Sequence, residues 1–335
     1  MAKINLSRFN FEMQRKFPDA TGDFSEIINQ IALAAKIVSQ EVNRAGIADI
    51  LGYAGDTNSS GDSQKKLDVI ANEIFINALD HIGKFCVMGS EENDEMVLLG
   101  QKHPKGRYSI LFDPLDGSSN IEVNVSIGTI FSVMRRVTPL EQGDGTIDDL
   151  LQCGRKQVAA GYVLYGSSTM LVFTTGHGVN MFTLDPQIGE FILTNENVQI
   201  PNTTKYYSIN EGNALNWSEP LRRYVDGLKT KNNIHGKVLS GRYIGSMVAD
   251  VHRTLHYGGF FSYPQDSVNT EGKLRLLYEA NPMAMVVEQA GGRAIWGGGD
   301  ILDIVPKSLH QRVPVFLGAK KDIDAIEAQV FGAGG

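Results

Sequence analysis

The run Tyr108-Ser109-Ile110-Leu111-Phe112 passes directly into Asp113-Pro114-Leu115-Asp116-Gly117-Ser118-Ser119-Asn120. The first five residues read as a short apolar strand, and the next eight are turn formers. A strand ending there puts Asp113 and Asp116 on one crevice. Gly117, Ser118 and Ser119 then offer amides and hydroxyls where the chain turns. Carboxylates beside an anion-cradling turn are what a metal-assisted phosphate site requires: oxygen ligands for a hard cation and donors for phosphoryl oxygens. Asp-Gly-Ser by itself is an ordinary surface turn. The whole run behind an apolar strand argues for chemistry.

Working outward, other acids hold similar positions. Ser90-Glu91-Glu92 follows the short strand Phe85-Cys86-Val87-Met88, and Asp62 stands just before a helix expected from about Ser63 to His81. In that helix Leu67, Ile70, Ala71, Ile74, Phe75, Ala78 and Leu79 form the buried stripe, and Asp68 falls inside it. A buried carboxylate is costly, so Asp68 needs a cation or a donor. Glu279 precedes a helix expected near Pro282 to Gln289. Two carboxylates about 4 Å apart repel by roughly 4 kcal/mol at an effective dielectric near 20. If these acids converge, they need divalent cations, and an oxygen-only set without His or Cys selects Mg²⁺ or Mn²⁺ over Zn²⁺.

Around this centre the pattern is mixed. A helix is expected from Asp23, as cap, to Gly46, with Ile27, Ile28, Ile31, Ala35 and Val38 on one face. From Phe85 to Leu193 short strands punctuated by Gly166, Gly176 and Asp185-Pro186 favour antiparallel hairpins. Beyond the polar stretch Pro201 to Lys205, strands alternate with helices, expected near Leu215 to Leu228, Gly245 to His256 and Asp322 to Phe331. The fold class is α/β, with alternating helix and sheet layers in two halves, residues 1–200 and 201–335.

With 335 residues, 42% hydrophobic and 21% charged, the chain is globular and long enough for about two domains. A net charge of −7 argues against a nucleic-acid partner. No run of about 18 apolar residues exists, so no membrane span is expected. Two cysteines, Cys86 and Cys153, cannot build a disulfide framework. A cytoplasmic setting follows as the expectation. His252 and His256 are four apart on a helix, but Arg253 occupies the place where a zinc peptidase needs its general base.

Five blocks now come together: Gly61 to Asp68, Ser90-Glu91-Glu92, Asp113 to Asn120, Gly245-Ser246-Met247-Val248-Ala249-Asp250, and Lys273-Leu274-Arg275-Leu276-Leu277-Tyr278-Glu279. In order and approximate spacing they resemble class I fructose-1,6-bisphosphatase, over nearly the whole chain. The Asp-Pro-Leu-Asp-Gly run is shared with the wider Mg²⁺-dependent sugar and inositol phosphatases, and the last two blocks narrow the likeness. The resemblance implies hydrolysis of the 1-phosphate of fructose 1,6-bisphosphate in gluconeogenesis, with sedoheptulose-1,7-bisphosphatase or a dual-specificity enzyme as the alternative. It also implies two or more Mg²⁺ per subunit, or Mn²⁺ in their place.

Residue by residue, it makes Glu91, Glu92, Asp113, the Leu115 carbonyl, Asp116 and Glu279 metal ligands. Asp62, Asp68 and Glu92 would serve the attacking water, and Asp116, Gly117, Ser118 and Ser119 the scissile phosphate. Asn210, Tyr243, Tyr263 and Lys273 would hold the sugar and its 6-phosphate, and Arg242 would reach the 6-phosphate of a neighbouring subunit, in a homotetramer. Asn213 stands where animal-type members carry a tyrosine. The stretch Thr21-Gly22-Asp23-Phe24-Ser25 resembles the family's turn for the inhibitor AMP, with partners at Arg107, Tyr108, Arg135 and Met170. A helix start is also where an anion is welcome on physical grounds.

Overall fold

The computed structural model describes residues 3–16, 21–45, 53–57, 63–100 and 105–332. Helix α1 (Leu6–Gln14) is capped by Asn5, whose side chain accepts from the Arg8 amide. α2 (Asp23–Arg44) buries Ile27, Ile28, Ile31, Ala35 and Val38 as expected. Its cap, however, is Gly22 at φ 84°, because the Asp23 carboxylate is taken by Lys84 at 2.8 Å. The expected stop, Gly46, lies outside the described residues, as does Asp62. β1 (Tyr53–Thr57) and β2 (Ser63–Lys65) form an antiparallel ribbon, so the helix expected from Ser63 starts only at α3 (Lys66–Leu79).

β3 (Phe85–Ser90), β4 (Tyr108–Asp116), β5 (Ile127–Arg135), β6 (Gln157–Tyr165), β7 (Thr169–Thr174), β8 (Asn180–Asp185) and β9 (Glu190–Asn195) make one seven-stranded sheet in chain order. From β4 onward each neighbour is antiparallel, as the turn residues indicate. β3 and β4 instead run parallel, with Ser90 opposite Phe112. Glu91 and Asp113 therefore leave the same edge of the sheet side by side.

The rest of the chain supplies β10 (Tyr206–Ser208), α4 (Glu219–Leu228), β11 (Ser240–Gly241), α5 (Met247–Tyr257), β12 (Phe260–Tyr263), β13 (Leu274–Arg275), α6 (Asn281–Gln289), β14 (Gly292–Ile295), β15 (Arg312–Val313), β16 (Val315–Ala319) and α7 (Lys320–Ile326). The helix expected over Leu215 to Leu228 is split into a 3₁₀ turn, Glu211–Asn216, and α4, whose first turn holds Pro220. A mixed sheet runs β11-β10-β12-β16-β14, and β13 pairs with β15.

One face of the first sheet packs on α1, α2 and α3 through Phe9, Ile27, Ile31, Phe75, Phe112, Phe131 and Phe173. Its other face meets α5 and α6: Ile130, Tyr162 and Val172 cluster with Val248, Val251, Met283 and Val287. Phe261 and Leu317 of the second sheet belong to the same cluster, so α5 and α6 lie between the sheets. Tyr207, Phe316, Leu221 and Ile323 close the far side under α4 and α7. The layers alternate helix, sheet, helix, sheet, helix. Gly128 lets α5 approach: a Cβ there would fall 2.2 Å from the Val163 carbonyl and 2.7 Å from a Val248 methyl. His252 accepts or donates at 2.8 Å to the Tyr162 hydroxyl in this core, and burial lowers its pKa to about 4. It is a satisfied interior histidine.

Candidate active site

The end of β4 carries a bulge. Asp113 pairs with Ile130 and Asp116 with Gly128, so three steps on β4 match two on β5. Pro114, which has no amide hydrogen, sits in the bulge, and its carbonyl accepts from the Thr129 hydroxyl at 2.8 Å. The bulge brings Asp113, Leu115 and Asp116 to one cavity wall. Asp113 accepts from the Leu115 amide at 2.8 Å. Asp116 accepts from the Val248 amide at 3.0 Å and the Ser246 hydroxyl at 3.1 Å, at the start of α5. Gly117 (φ 79°) has no room for a side chain, since a Cβ would lie 2.9 Å from that of Ser246.

Glu279 sits on a one-turn π segment, Leu276–Ala280, that leads into α6, and its side chain accepts from the Arg275 amide. The helical path thus begins ahead of the expected Pro282, in a geometry that recurs at functional sites. Asp68 is only 3% exposed. Its Oδ2 accepts from the Lys65 amide at 3.0 Å, while Oδ1 is buried without a hydrogen-bond partner.

These segments enclose a cavity of about 420 Å³. Its wall holds six carboxylates, Asp68, Glu91, Glu92, Asp113, Asp116 and Glu279, and two lysines, Lys65 and Lys273. Gly117, Ser118, Ser119, Tyr243 and Tyr263 are also part of it. Ligand oxygens of Asp113, Asp116 and Glu279 lie within 4.8 Å of one another. Burial, then the charges of Glu91, Asp116 and Glu279, push Asp113 well above its ordinary range, and burial with Glu91 and Asp116 does the same to Glu279. Glu91 rises to about 7 through burial, against the nearby Arg275 guanidinium and with the Glu92 charge. Asp116 rises to about 6 and Asp68 to about 7, burial leading in both. Burial and mutual repulsion both penalise the anions, and an oxygen-only donor set with an orphaned Asp68 oxygen fits a hard divalent cation. Lys65 and Arg275 escaped the sequence reading, although both lie inside the quoted blocks beside recognised acids.

Lys273 Nζ stands 5.6 Å from the centre of the Tyr263 ring. Asn210 does not line the main cavity. It borders a small recess next to Tyr263, together with Asn213, and accepts from the Gly212 amide at 3.1 Å. Arg242 is exposed, its guanidinium 5.6 Å from the Tyr206 ring centre, and reaches neither pocket.

A second group forms at the far end of β4. Phe24 packs on Tyr108 at 5.2 Å between ring centres, and Arg135, its cross-strand neighbour, lies over the same ring at 5.8 Å. Burial raises the Asp23 pKa, but Lys84, Thr21 and Arg107 together hold it below the ordinary value. Ser25 turns to Gln14 of α1 at 3.4 Å. Met170 does not join this group. It pairs with Leu164, which pairs with Gly128, seven residues along β5 from Arg135, or about 23 Å. Its side chain packs on the α5 and α6 side of the sheet, so the assignment of Met170 is corrected.

Two family models cover the chain: "Fructose-1-6-bisphosphatase, N-terminal domain" over residues 4–196 and the corresponding C-terminal domain over 200–331. The class 1 fructose-1,6-bisphosphatase of Chlorobium luteolum is 52% identical over 324 residues, 97% of each chain. That of Maridesulfovibrio salexigens is 53% identical over 320 residues, 93% of each. The holo form of Leishmania major fructose-1,6-bisphosphatase superposes with TM-score 0.91 at 44% identity, over 98% of this chain and 99% of that one. The T-state of the same enzyme gives 0.86 at 42%, with the same coverage. On this agreement of sequence, fold and cavity, the chain belongs to the class 1 fructose-1,6-bisphosphatase family, whose members are metal-dependent sugar-bisphosphate phosphatases.

Proposed function

We propose that the chain hydrolyses the 1-phosphate of fructose 1,6-bisphosphate to fructose 6-phosphate and phosphate, a step of gluconeogenesis, in the cytoplasm. The observation that carries this is the meeting of six carboxylates with the Gly117 to Ser119 turn in one cavity. Glu91, Glu92, Asp113, the Leu115 carbonyl, Asp116 and Glu279 would hold two or more Mg²⁺, or Mn²⁺. Such ions supply charge that polarises the phosphoryl group, acidifies a water and stabilises the departing alkoxide.

The chain's own groups do the rest. Asp68 and Glu92 orient the attacking water and take its proton, aided by Asp62. Asp68 and Glu92 both line the cavity in which that water would stand. Water oxygen then bonds to phosphorus as the bond to the sugar oxygen breaks. Ser118, Ser119 and the amides behind Gly117 hold the transferred phosphoryl oxygens. Tyr243, Tyr263, Lys273 and Asn210 hold the sugar and its 6-phosphate, with Lys273 as the cation there. In this division residues 1–200 carry most metal carboxylates and 201–335 the sugar contacts. Phosphate release with Mg²⁺ tests the reading: fastest from fructose 1,6-bisphosphate, absent from inositol 1-phosphate. Equal rates on sedoheptulose 1,7-bisphosphate would make the enzyme dual-specific.

AMP is the inhibitor this reading places at Thr21, Gly22, Asp23, Phe24 and Ser25, with Arg107, Tyr108 and Arg135 as partners. Two arginines and the start of α2 supply positive potential for a phosphate, Lys84 being paired with Asp23 and Glu26, and the Leishmania relative is known in a T-state. AMP is expected to inhibit without competing with substrate. Thr21→Val with Arg135→Ala should abolish inhibition and keep basal turnover; inhibition that survives the pair overturns the assignment.

The assembly proposed is a homotetramer; exposed Phe11 on α1 and Leu33 and Ile37, one turn apart on α2, support association of subunits without fixing their number. Arg242, outside its own cavity, would then serve the neighbour's 6-phosphate. Arg242→Ala should raise KM about tenfold or more with little change in kcat. A fully active monomer by light scattering would refute it.

A further inference from the structure

The carboxylates of the cavity arrive on separate segments: Glu91 and Glu92 follow β3, while Glu279 rides the π turn before α6. One side chain outside the cavity touches both. His310 Nδ1 lies 2.8 Å from the hydroxyl of Tyr278, the residue next to Glu279. Its Nε2 lies 3.2 Å from the carbonyl oxygen of Asp94, two residues beyond Glu92. A carbonyl only accepts, so Nε2 carries the proton and Nδ1 accepts from the Tyr278 O–H. Burial lowers the His310 pKa, which favours this neutral form.

The Tyr278 end of the link is firmly held, while the Asp94 carbonyl belongs to an exposed bend just after β3. Tyr278 is fully buried, its ring edge-on to the imidazole at 5.8 Å between centres. The Leu276 amide donates to the Gln311 carbonyl at 2.7 Å, and β13 pairs with β15 immediately beyond. Leu309 packs with Val87, Leu111, Leu277 and Tyr278, beneath both carboxylate-bearing segments.

We propose that His310 is a positioning residue of the metal centre, fixing Glu91 and Glu92 relative to Glu279 through Asp94 and Tyr278. This rests on the reading that those carboxylates hold divalent cations. Groups hydrogen-bonded to metal ligands typically change affinity 10–100-fold, and His310, which bonds the neighbours of the ligands, is assigned the lower end of that range. His310 is absent from the cavity wall, so sugar binding lies outside its reach.

The test is Mn²⁺ binding to the metal-free full chain without substrate, read from the electron paramagnetic resonance of free Mn²⁺. Tyr278→Phe removes one hydroxyl and keeps the ring, so it decides the matter even where His310→Ala folds poorly. Mn²⁺ should bind about tenfold more weakly in Tyr278→Phe and at least as weakly in His310→Ala. The double variant should be no weaker than His310→Ala alone, and KM for the sugar bisphosphate at saturating Mn²⁺ should stay within about twofold. Unchanged Mn²⁺ affinity with only a lower Tm would overturn the proposal and leave a structural histidine. Losses that simply add in the double variant would overturn it too. A wild-type chain that binds no Mn²⁺ would bring down the metal reading itself, an outcome distinct from equal binding by wild type and variants.

Discussion

Glu279→Gln and Asp116→Asn are each expected to lower turnover by about 10³-fold while the protein keeps its fold. A thousandfold corresponds to about 4 kcal/mol of transition-state stabilisation, the scale on which charge from a bound cation acts. Both acids lie within 4.8 Å of Asp113, so each substitution removes one anion from the shared oxygen set. Neither change deprives the fold of a contact it cannot replace. In Asp116→Asn the new side-chain carbonyl can still accept from the Val248 amide, and in Glu279→Gln it can still accept from the Arg275 amide. Without metal, removing one of several crowded buried anions relieves repulsion, so the metal-free variants unfold at temperatures no lower than wild type. Steady-state kinetics together with thermal unfolding check both halves of this expectation. Near-normal rates in either variant would show that the ligand assignment is wrong.

Activity is also expected to vanish in chelator and to return with Mg²⁺ or Mn²⁺. Six carboxylates face two lysines on the cavity wall, and Arg275 offsets only part of the remaining charge. The same imbalance ties metal to stability. A ligand that binds only the folded state at a hundred times its Kd adds about 2.7 kcal/mol. In a chain of 335 residues that raises Tm by roughly 4 °C. The rise should be largely lost in Glu279→Gln. Full turnover in metal-free buffer, or a Tm indifferent to metal, would refute the expectation.

How much of this was written in the sequence depends on what kind of information each feature uses. The acids were legible because each sits where a strand or helix changes direction, and such changes are marked by Pro114, Gly117 and Ser118. Asp68 was legible because a charge inside an apolar helical stripe has no bland explanation. The parallel pairing of β3 and β4 was not, since residues 91–107 contain no crossover-helix pattern, and direction is set only by tertiary pairing. α1 escaped because just Leu6, Phe9 and Asn10 of its nine residues are buried. The π turn at Glu279 escaped because its five residues, Leu276–Ala280, are too few for any period to show. Met170 was misplaced because a one-dimensional match records neither the face of a strand nor the distance along it. His310 lies 31 residues beyond Glu279 and 216 beyond Asp94, so no local pattern connects them.

The position of α5 and α6 between the two sheets has a consequence for how the protein is made. The first sheet is complete at Asn195, but the helices that cover its second face end only at Gln289, 94 residues later. At about 5–20 residues per second on the ribosome, Ile130, Tyr162, Val172 and Met181 wait roughly 5–20 s for their partners. Through that interval the nascent chain presents one apolar side of a finished sheet to whatever is nearby. A chain stalled with its first 200 residues outside the ribosome would bind an apolar dye or a holdase chaperone. One stalled after β16 and α7 have emerged would bind neither.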